Sequence, residues 1–238
     1  MKLSKRLETV ASMVTKGNRA ADVGCDHGFV PIFLVESGIS PLAVAADVRP
    51  GPLSRAKEHI KEHRLEEKIQ TRLSDGLANI KPGEADSLIM SGIGGILMMR
   101  LLQDEEQTAK SFKELILSPQ SELFDVRRYL ASNGYLIEYE HMLCDEGKYY
   151  FIFHVLVKKD EREWSEEEYR YGKDICKDDM KTFLAYLEKE ERQYEQILEK
   201  MKQAPENDRA AQRIAQLHQD ITCLKKRRQL VYDCGCFA

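Results

Sequence analysis

One short segment concentrates the residues that could bind a charged small molecule. Asp22-Val23-Gly24-Cys25-Asp26-His27-Gly28 lies between a predicted strand and a predicted helix. Its glycines let backbone amides approach a ligand, and the helix N-terminus lies just beyond. A dinucleotide-binding fingerprint would have glycine where Asp26 and Phe29 stand. Because the Asp26 carboxylate repels a pyrophosphate, the segment favours a cationic ligand, such as the ammonium or sulfonium group of S-adenosylmethionine. The alternative is an ordinary turn with glycine caps.

Three further strand ends carry suitable residues in order along the chain. Asp47 ends the second predicted strand, where a carboxylate can accept hydrogen bonds from both ribose hydroxyls. Ser74-Asp75-Gly76 follows the third strand, and Asp75 can accept a hydrogen bond from an adenine amino group. Ser91-Gly92-Ile93-Gly94-Gly95 follows the fourth, where small residues leave room for a substrate. Each acid alone also fits a solvated cap, but four such motifs in order favour a binding site.

Alternating strands and helices must position these motifs. Strands are expected over 19–23, 42–47, 68–73, 87–90 and 114–117, and helices over 31–36, 53–64, 95–102 and 122–132. Two more strands, 135–142 and 149–157, are joined by a hairpin loop at 144–148. The pattern predicts an α/β fold with a mostly parallel, seven-stranded, doubly wound sheet and an antiparallel edge. Ligands of such sheets bind at the carboxyl ends of the strands.

The composition changes near residue 160, and we predict two domains, 1–159 and 160–238. Ser165 and Glu168 have the spacing of a capping box, so a helix should start there. Two heptad series follow, separated by a break at 205–208, and they predict an antiparallel helical hairpin resembling a short coiled coil. Glu190 and Arg228 interrupt the series and either pair with each other or lie at frayed ends. The series are Phe183, Leu187, Glu190, Tyr194, Ile197 and Met201, then Ala210, Ile214, Leu217, Ile221, Leu224, Arg228 and Val231.

Composition limits the function. The 238 residues include 40 acidic and 36 basic side chains, for a formal net charge of -4. This excludes a histone-like electrostatic binder, so contacts with nucleic acid must come from local basic patches. No apolar run approaches the roughly 20 residues that span a bilayer, and no secretory signal is visible. The six cysteines include no Cys-x-x-Cys pair, which argues against a metal site and favours a reduced, cytoplasmic chain. Cys234 and Cys236 are expected in a loose C-terminus.

The N-terminal two-thirds resembles the Rossmann-like class I methyltransferases that use S-adenosylmethionine. More narrowly, five segments and the helical tail resemble the bacterial TrmK family, whose members methylate N1 of the adenine at tRNA position 22. That family often has Ala-Gly-Met-Gly-Gly after the fourth strand, a mild difference that affects only fine contacts. The segments are Leu3-Ser4-Lys5-Arg6-Leu7, Asp22-x-Gly-x-Asp-His-Gly, Asp47-Val48-x-x-Gly51-Pro52, Ser74-Asp75-Gly76-Leu77 and Ser91-Gly92-Ile93-Gly94-Gly95.

The resemblance implies S-adenosylmethionine as the cofactor and tRNA as the partner. The motif positions then give the expected cofactor-binding residues. Arg6 has two alternatives: it lies over the cofactor pocket and contacts the methionine carboxylate, or it contacts RNA phosphates. The set is Arg6, Asp22, Gly24, Cys25, Asp26, Gly28, Asp47, Val48, Asp75, Gly76, Ser91 and Gly92.

The loop after the fourth strand restricts the methyl acceptor. It lacks the Asp/Asn-Pro-Pro-aromatic sequence in which exocyclic-amine methyltransferases resemble one another. Cys25 lies in the cofactor turn, where a covalent role on a pyrimidine carbon is not expected. Adenine N1 is already a nucleophile, so positioning and desolvation would supply most of the catalysis. Because N1 lies on the Watson–Crick edge, the adenine must be unpaired or flipped out.

Asp26 and His27 are the candidate catalytic residues. The methylated base is cationic until its amino group loses a proton, and Asp26 can stabilise that charge or take the proton. An equal alternative is that Asp26 serves only the cofactor. His27 contacts either ligand or caps the following helix. Phe29 and the pair Tyr149-Tyr150 could stack on the base, or simply pack in the core and at the edge strand.

Several basic residues are candidates for contacts with RNA phosphates. The densest run, 225–228, also fits the solvated end of a helix, where cations suit the helix dipole. The tail from residue 160 has 15 basic and 18 acidic side chains, so its net charge does not favour RNA. The candidates are Lys2, Lys5, Arg127, Arg128, Lys225, Lys226, Arg227 and Arg228.

The expected function is methylation of tRNA at N1 of adenine 22 by a monomeric, cytoplasmic enzyme that needs no metal. One alternative keeps the methyltransferase and changes the acceptor to another RNA or a small molecule. Another is a non-catalytic RNA-binding scaffold with a vestigial pocket. The acids Asp26, Asp47 and Asp75 argue against the scaffold, since a vestigial pocket has no need to keep all three.

Overall fold

The computed structural model describes residues 3–175, 177–202 and 208–233. Within this part of the chain seven strands form one sheet in the order β3-β2-β1-β4-β5-β7-β6. The first five are parallel, and β7 is antiparallel to both β5 and β6. The predicted α/β fold and mostly parallel, seven-stranded sheet are therefore confirmed. The strands are Ala20–Val23, Ala43–Asp47, Ile69–Leu73, Ser87–Ser91, Glu114–Ser118, Leu136–Asp145 and Lys148–Leu156 for β1 to β7.

Helices cover both faces of the sheet. One face packs against α1 to α3, and the other against α4, α6 and the C-terminal helices. Every residue of β1, β2 and β5 is buried as a result, and their apolar composition without strict alternation is typical of strands covered on both sides. The helices are Lys5–Ser12, Phe29–Glu36, Pro50–Glu62, Gly95–Asp104, Glu106–Ala109, Leu123–Ser132, Glu166–Tyr171, Met180–Lys202 and Asp208–Asp233 for α1 to α9.

Two helices, α1 and α5, were not predicted. In α1 the Ser4 hydroxyl caps the N-terminus by accepting from the Leu7 amide at 3.4 Å, and Val10 and Ala11 are buried. Eight residues give only two turns of apolar periodicity, which is a weak signal. This helix matters because it places Arg6 beside the carboxyl end of β4.

The predicted capping box at the start of the tail is present. The Ser165 hydroxyl accepts from the Glu168 amide, and the Glu168 carboxylate accepts from the Ser165 amide at 2.8 Å. Helix α7 nevertheless ends after six residues, at Gly172. Gly172 has φ +89° and lies so close to Glu140 that a Cβ would be 2.9 Å from its Oε1 atom. Only glycine fits this position without strain.

The heptad prediction for α8 and α9 is correct in part. Phe183, Leu187 and Leu224 are fully buried, but Ile197 is 40% exposed. In this part of α8 the neighbouring residue, Leu198, is the buried one. The interrupting residues do not pair with each other. Glu190 accepts from the Tyr194 hydroxyl at 3.0 Å, and Arg228 pairs with Glu191.

The hydrophobic core continues across residue 160, where the sequence predicts a domain boundary. Phe183 and Leu224 of the tail belong to the same buried cluster as Leu88 of β4 and Leu117 of β5. The two-domain division at 159 and 160 therefore stays a prediction, while the tail helices pack directly on the sheet. None of the described helices combines the length and apolarity needed to cross a membrane.

A buried ion pair joins α6 to β6, and its guanidinium also donates hydrogen bonds to the tail. The Arg127 guanidinium on α6 donates to the Glu140 carboxylate on β6, with Nη2 and Oε2 2.7 Å apart and neither side chain exposed. Its Nη1 atom donates to the carbonyls of Tyr169 at 3.1 Å and Arg170 at 2.9 Å. The prediction that Arg127 contacts RNA is therefore wrong. Its side chain lies on the inner face of α6, where a buried carboxylate offsets the cost of its charge.

We expect Arg127→Met to lower the free energy of unfolding by about 3–5 kcal/mol, because it leaves the Glu140 carboxylate buried without its partner. The double variant Arg127→Met/Glu140→Leu should recover part of this loss. Urea denaturation at pH 7 measures both effects. Arg128→Met, on the exposed face of the same helix, is the matched control and should change stability by less than about 0.5 kcal/mol. An Arg127→Met variant as stable as the wild type would contradict the role of the pair.

Candidate active site

A cavity of about 570 Å³ opens at the carboxyl ends of β1, β2 and β4. The strand order reverses between β1 and β4, which pair with each other while their following loops lead to opposite faces. Such a switch point leaves a crevice between the loops, which is where doubly wound sheets bind ligands. Among the described residues, no three His, Cys, Asp or Glu side chains are grouped as a metal site requires.

The structure brings together the predicted cofactor-binding residues, with one exception. Arg6, Asp22, Asp47, Asp75 and Ser91 all line the cavity, as do the other predicted members apart from Gly28. Their convergence follows from the parallel sheet, because each lies on a loop or strand end at the same edge.

Gly28 serves the packing of two helices. It is the N-cap residue of α2 with φ 72°, and a Cβ at this position would lie 3.0 Å from the Cβ of Ala56 on α3. No side chain caps this helix, so the alternative that His27 caps it is wrong.

Two buried carboxylates lie side by side at the floor of the cavity. Asp22 is the penultimate residue of β1 and Asp47 is the last residue of β2, and each is 4% exposed. Asp47 accepts from the amides of Asp26 at 3.3 Å and Arg49 at 2.8 Å. Burial and the neighbouring Asp47 charge raise the pKa of Asp22 to about 7, against the opposing effect of Arg6. Near pH 7 the Asp22 carboxyl is therefore only partly ionised, and a cationic ligand would favour loss of its proton.

Cys25 lies between these acids and is not a nucleophile. Burial, with the nearby carboxylates of Asp22, Asp47 and Asp26, raises the pKa of its thiol far above the usual range. The thiol stays neutral, which agrees with the expectation that it plays no covalent role.

Arg6 lies over the cavity. Its Nη1 atom donates to the Ser91 hydroxyl at 2.6 Å, which joins α1 to the end of β4. The guanidinium also lies 5.4 Å from the centre of the Tyr150 ring. This position favours the cofactor side of the two alternatives for Arg6, and contact with the methionine carboxylate stays a prediction.

Asp26 and His27 lie at the rim of the cavity. Asp26 has a left-handed backbone with φ 45°, and its carboxylate is 56% exposed, 3.4 Å from Arg55 and 3.6 Å from His27 Nε2. The His27 ring stacks on Phe29 at 5.2 Å and on His59 at 5.7 Å. The Asp26 carboxylate is thus open to a second ligand, and the neighbouring ring is fixed in orientation.

Sequence reasoning missed several lining residues. Gln120 follows β5 and lines the cavity together with Leu97 and Leu101 of α4. Gly76 permits the approach of Leu101, whose side chain would overlap with any Cβ there. Gln120 has a signal in the sequence, because it follows a predicted parallel strand whose carboxyl end lies at the same edge of the sheet as the other motifs. Leu97 and Leu101 look like ordinary core residues of an amphipathic helix.

Three comparisons place the chain among known proteins. The methyltransferase domain family matches residues 3–153. The chain is 28% identical to the tRNA (adenine(22)-N(1))-methyltransferase of Bacillus subtilis over 232 residues, which are 95% of this chain and 97% of that protein. The crystal structure of the m1A22 tRNA methyltransferase TrmK of B. subtilis matches with a TM-score of 0.85 and 28% identity, covering 95% of this chain and 99% of that one.

This chain belongs to the TrmK family of methyltransferases. A second structure of this kind is the Streptococcus pneumoniae protein Sp1610, described as a putative tRNA (m1A22) methyltransferase and solved in complex with S-adenosyl-L-methionine. Its TM-score is 0.83 at 31% identity, with 95% of this chain and 100% of that one covered.

The residues of this TrmK-family cavity fit S-adenosylmethionine. Asp22 and Asp47 supply buried carboxylates for a cation and for ribose hydroxyls, and Asp75 is an exposed acceptor on the adjacent strand end. Leu97 and Leu101 supply an apolar wall for a purine ring. The volume of about 570 Å³ lies within the range of roughly 300–1,000 Å³ that is usual for small-molecule sites.

Apart from the buried Arg127, the basic residues predicted to bind RNA fall into three groups. Lys5 and Arg128 are exposed, and their contact with RNA stays a prediction. Lys2 lies outside the described residues, as do Cys234 and Cys236. The run 225–228 is engaged within the tail, because α9 packs beside acidic residues of α7 and α8. Its contacts are Lys225–Glu191 at 3.5 Å, Lys226–Glu167, Arg228–Glu191, and a hydrogen bond from Arg227 to the Lys173 carbonyl at 3.2 Å.

We expect the affinity for S-adenosylmethionine to fall as the pH drops below about 7. The pKa of Asp22 is raised to about 7, so the carboxylate that offsets the cofactor's positive charge is lost below that pH. The dissociation constant from calorimetry between pH 8.5 and 5.5 should rise by up to roughly tenfold per unit. Asp22→Asn should bind weakly without this dependence. Asp75→Asn, which removes another carboxylate of the same cavity, should weaken binding of S-adenosylmethionine and keep the pH dependence of the affinity. A wild-type affinity for S-adenosylmethionine that does not change with pH would contradict the role of Asp22 in offsetting the cofactor's charge.

Proposed function

We propose that this chain transfers a methyl group from S-adenosylmethionine to N1 of adenine 22 in tRNA. The observation that carries the proposal is the cavity at the switch point, where Asp22, Asp47 and Asp75 stand at successive strand ends beside the small-residue loop Ser91–Gly95. The similarity to the B. subtilis tRNA (adenine(22)-N(1))-methyltransferase over 95% of the chain supports the choice of substrate.

The cavity's own residues would hold the cofactor. When bound, S-adenosylmethionine supplies an electrophilic methyl group on a sulfonium. Asp47 would accept from the ribose hydroxyls, Asp75 from the adenine amino group, and Asp22 would offset the positive charge. Arg6 would donate to the methionine carboxylate. All four of these side chains line the cavity, so the roles need no rearrangement of the strand ends.

The acceptor side needs orientation and a proton acceptor. Adenine N1 would attack the methyl carbon with its lone pair while the carbon–sulfur bond breaks and its electron pair goes to sulfur, which leaves S-adenosylhomocysteine and a cationic base. The base would become neutral when its exocyclic amino group loses a proton. The Asp26 carboxylate lies at the rim, open to solvent and beside His27, so it can accept that proton. His27 forms a three-ring cluster with Phe29 and His59, and this fixed ring limits the orientations open to the carboxylate.

In this proposal the chain acts as a cytoplasmic monomer, without a metal ion and with tRNA as its partner. Residues 1–159 bind the cofactor and perform the transfer, and residues 160–238 contact the RNA. The exposed Lys5 and Arg128 are available for phosphates.

Labelled S-adenosylmethionine and an unmodified tRNA transcript with adenine at position 22 should give labelled tRNA, and a transcript with guanine there should give none. Mass spectrometry of the digested product should identify 1-methyladenosine. Label on both transcripts would keep the methyltransferase and reject the position. Label on neither would reject tRNA, with another acceptor indicated if calorimetry detects cofactor binding and a scaffold role if it does not.

We expect Asp26→Ala to lower kcat by about 10²–10⁴-fold if the carboxylate takes the proton, with little change in the dissociation constant of S-adenosylmethionine. A single-turnover assay with saturating tRNA, paired with calorimetry, separates the two. Loss of cofactor affinity with an unchanged single-turnover rate at saturation would assign Asp26 to the cofactor instead. Asp125→Ala, an exposed acid of α6 outside the cavity, is the control.

A further inference from the structure

A second groove adjoins the cofactor cavity and is not used by the proposed cofactor site. Gln120 lines both spaces. The groove has a volume of about 360 Å³ and runs between the start of β7 and α8, where Lys148, Tyr149, Tyr150, Tyr186 and Lys189 line it. We call it the tyrosine groove. A recess of about 240 Å³ that also contains Gln120 and Tyr186 extends it along α8.

The topology places this groove on the acceptor side of the cavity. Strand β7 is antiparallel to β5, and Leu117 pairs with Phe153. Residues 148–150 therefore project past the carboxyl end of β5, at the same edge as the cavity. Tyr150 contacts the Arg6 guanidinium, which itself bonds to Ser91 at the end of β4. A chain whose adenine enters the cavity beside Ser91 continues naturally past Tyr150 into the groove.

The charge of the groove differs from that of the tail. Among the described residues, Lys148 and Lys189 form no salt bridge, whereas Lys226 and Arg228 of α9 are paired with carboxylates. Lys189 Nζ lies 5.1 Å from the centre of the Tyr149 ring. The groove also contains the Glu190 carboxylate, which accepts from the Tyr194 hydroxyl. An anion therefore has its favourable position at the lysine end.

The aromatic rings supply the second requirement. Tyr149 is half-buried and contacts Tyr186 edge-on, with centroids 5.4 Å apart and planes at 63°. This contact holds the Tyr149 ring in place. The Lys189 ammonium lies over the same ring, so a base that stacks there takes the place of this side chain. Sites for single-stranded RNA combine cations for the backbone with aromatic rings on which bases stack.

We propose that the tyrosine groove binds an unpaired nucleotide that flanks the methylated adenine. Its base stacks on Tyr149, and its phosphate lies near Lys148 and Lys189. The proposal rests on the proposed function, because the RNA must already present an adenine to the cofactor cavity. An adenine that leaves its stack to expose N1 also exposes its neighbour, and the groove gives that neighbour a new stacking partner.

The test compares Tyr149→Leu and Lys189→Ala with the wild type in methyl transfer to tRNA. Loss of one base–ring stack should raise KM for tRNA about tenfold, with the effect on KM and not on kcat. Tyr149→Phe, which keeps the ring, should restore the wild-type KM. Lys189→Ala should raise KM and reduce the slope of log affinity against log salt by about 0.7–0.9, the contribution of one phosphate contact. The affinity for S-adenosylmethionine should not change.

Lys181→Ala is the matched control, because it removes one exposed charge from the same helix outside the groove. An effect of Lys181→Ala as large as that of Lys189→Ala, or an unchanged KM in both groove variants, would overturn the proposal while the wild type still methylates tRNA. Fluorescence anisotropy with a labelled, unstructured 12-nucleotide RNA measures the groove without turnover. If Tyr149→Leu and Lys189→Ala bind this RNA more weakly than the wild type and Lys181→Ala does not, the result supports the nucleotide site in the groove even if tRNA is not methylated. Equal RNA affinity of all variants rejects that site.

Discussion

The reversal of strand order between β1 and β4 is the constraint on which the site depends. Parallel strands deliver their carboxyl ends to one edge, and the reversal keeps the following loops from closing over it. Two acids, Asp22 and Asp47, then lie in the last two residues of adjacent buried strands. Burial of the carboxyl group, and then the nearby Asp47 charge, carry an electrostatic cost that appears as the raised pKa of Asp22. A ligand with a positive charge relieves that cost, so the same packing that makes the apo site unfavourable gives it selectivity for cations.

The Arg127–Glu140 pair determines where the second half of the chain lies. The Arg127 guanidinium joins α6 to β6 through the ion pair and also donates to carbonyls at the end of α7, so a displacement of α7 would leave a buried donor without its acceptors. Helix α8 then starts against β6 and β7, and its first turns complete the core with Phe183 and Leu187. The tyrosine groove exists only because α8 is held beside the start of β7. A contact far from the cavity thereby shapes the surface next to it.

The sequence predicted the sheet and most of the cavity because both depend on local patterns. Strand ends that carry Asp22, Asp47, Asp75 and Ser91 can be read in order, and the parallel sheet guarantees that they meet. Prediction from the sequence failed where the interacting residues are distant along the chain. Arg127 looked like a surface cation because nothing nearby in sequence reveals Glu140 as its buried partner. The cations of 225–228 looked free for RNA, and the acids of α7 and α8 that pair with them become neighbours only in the folded tail.

These ion pairs bear on how a chain of net charge -4 could hold a polyanion. The densest basic run already has partners, so RNA would have to break those pairs to use it, and the energy gained from its phosphates would be largely offset. Lys148 and Lys189 line the tyrosine groove and form no salt bridge among the described residues. An RNA phosphate that contacts them breaks no ion pair, so it keeps more of its electrostatic energy than a phosphate at 225–228.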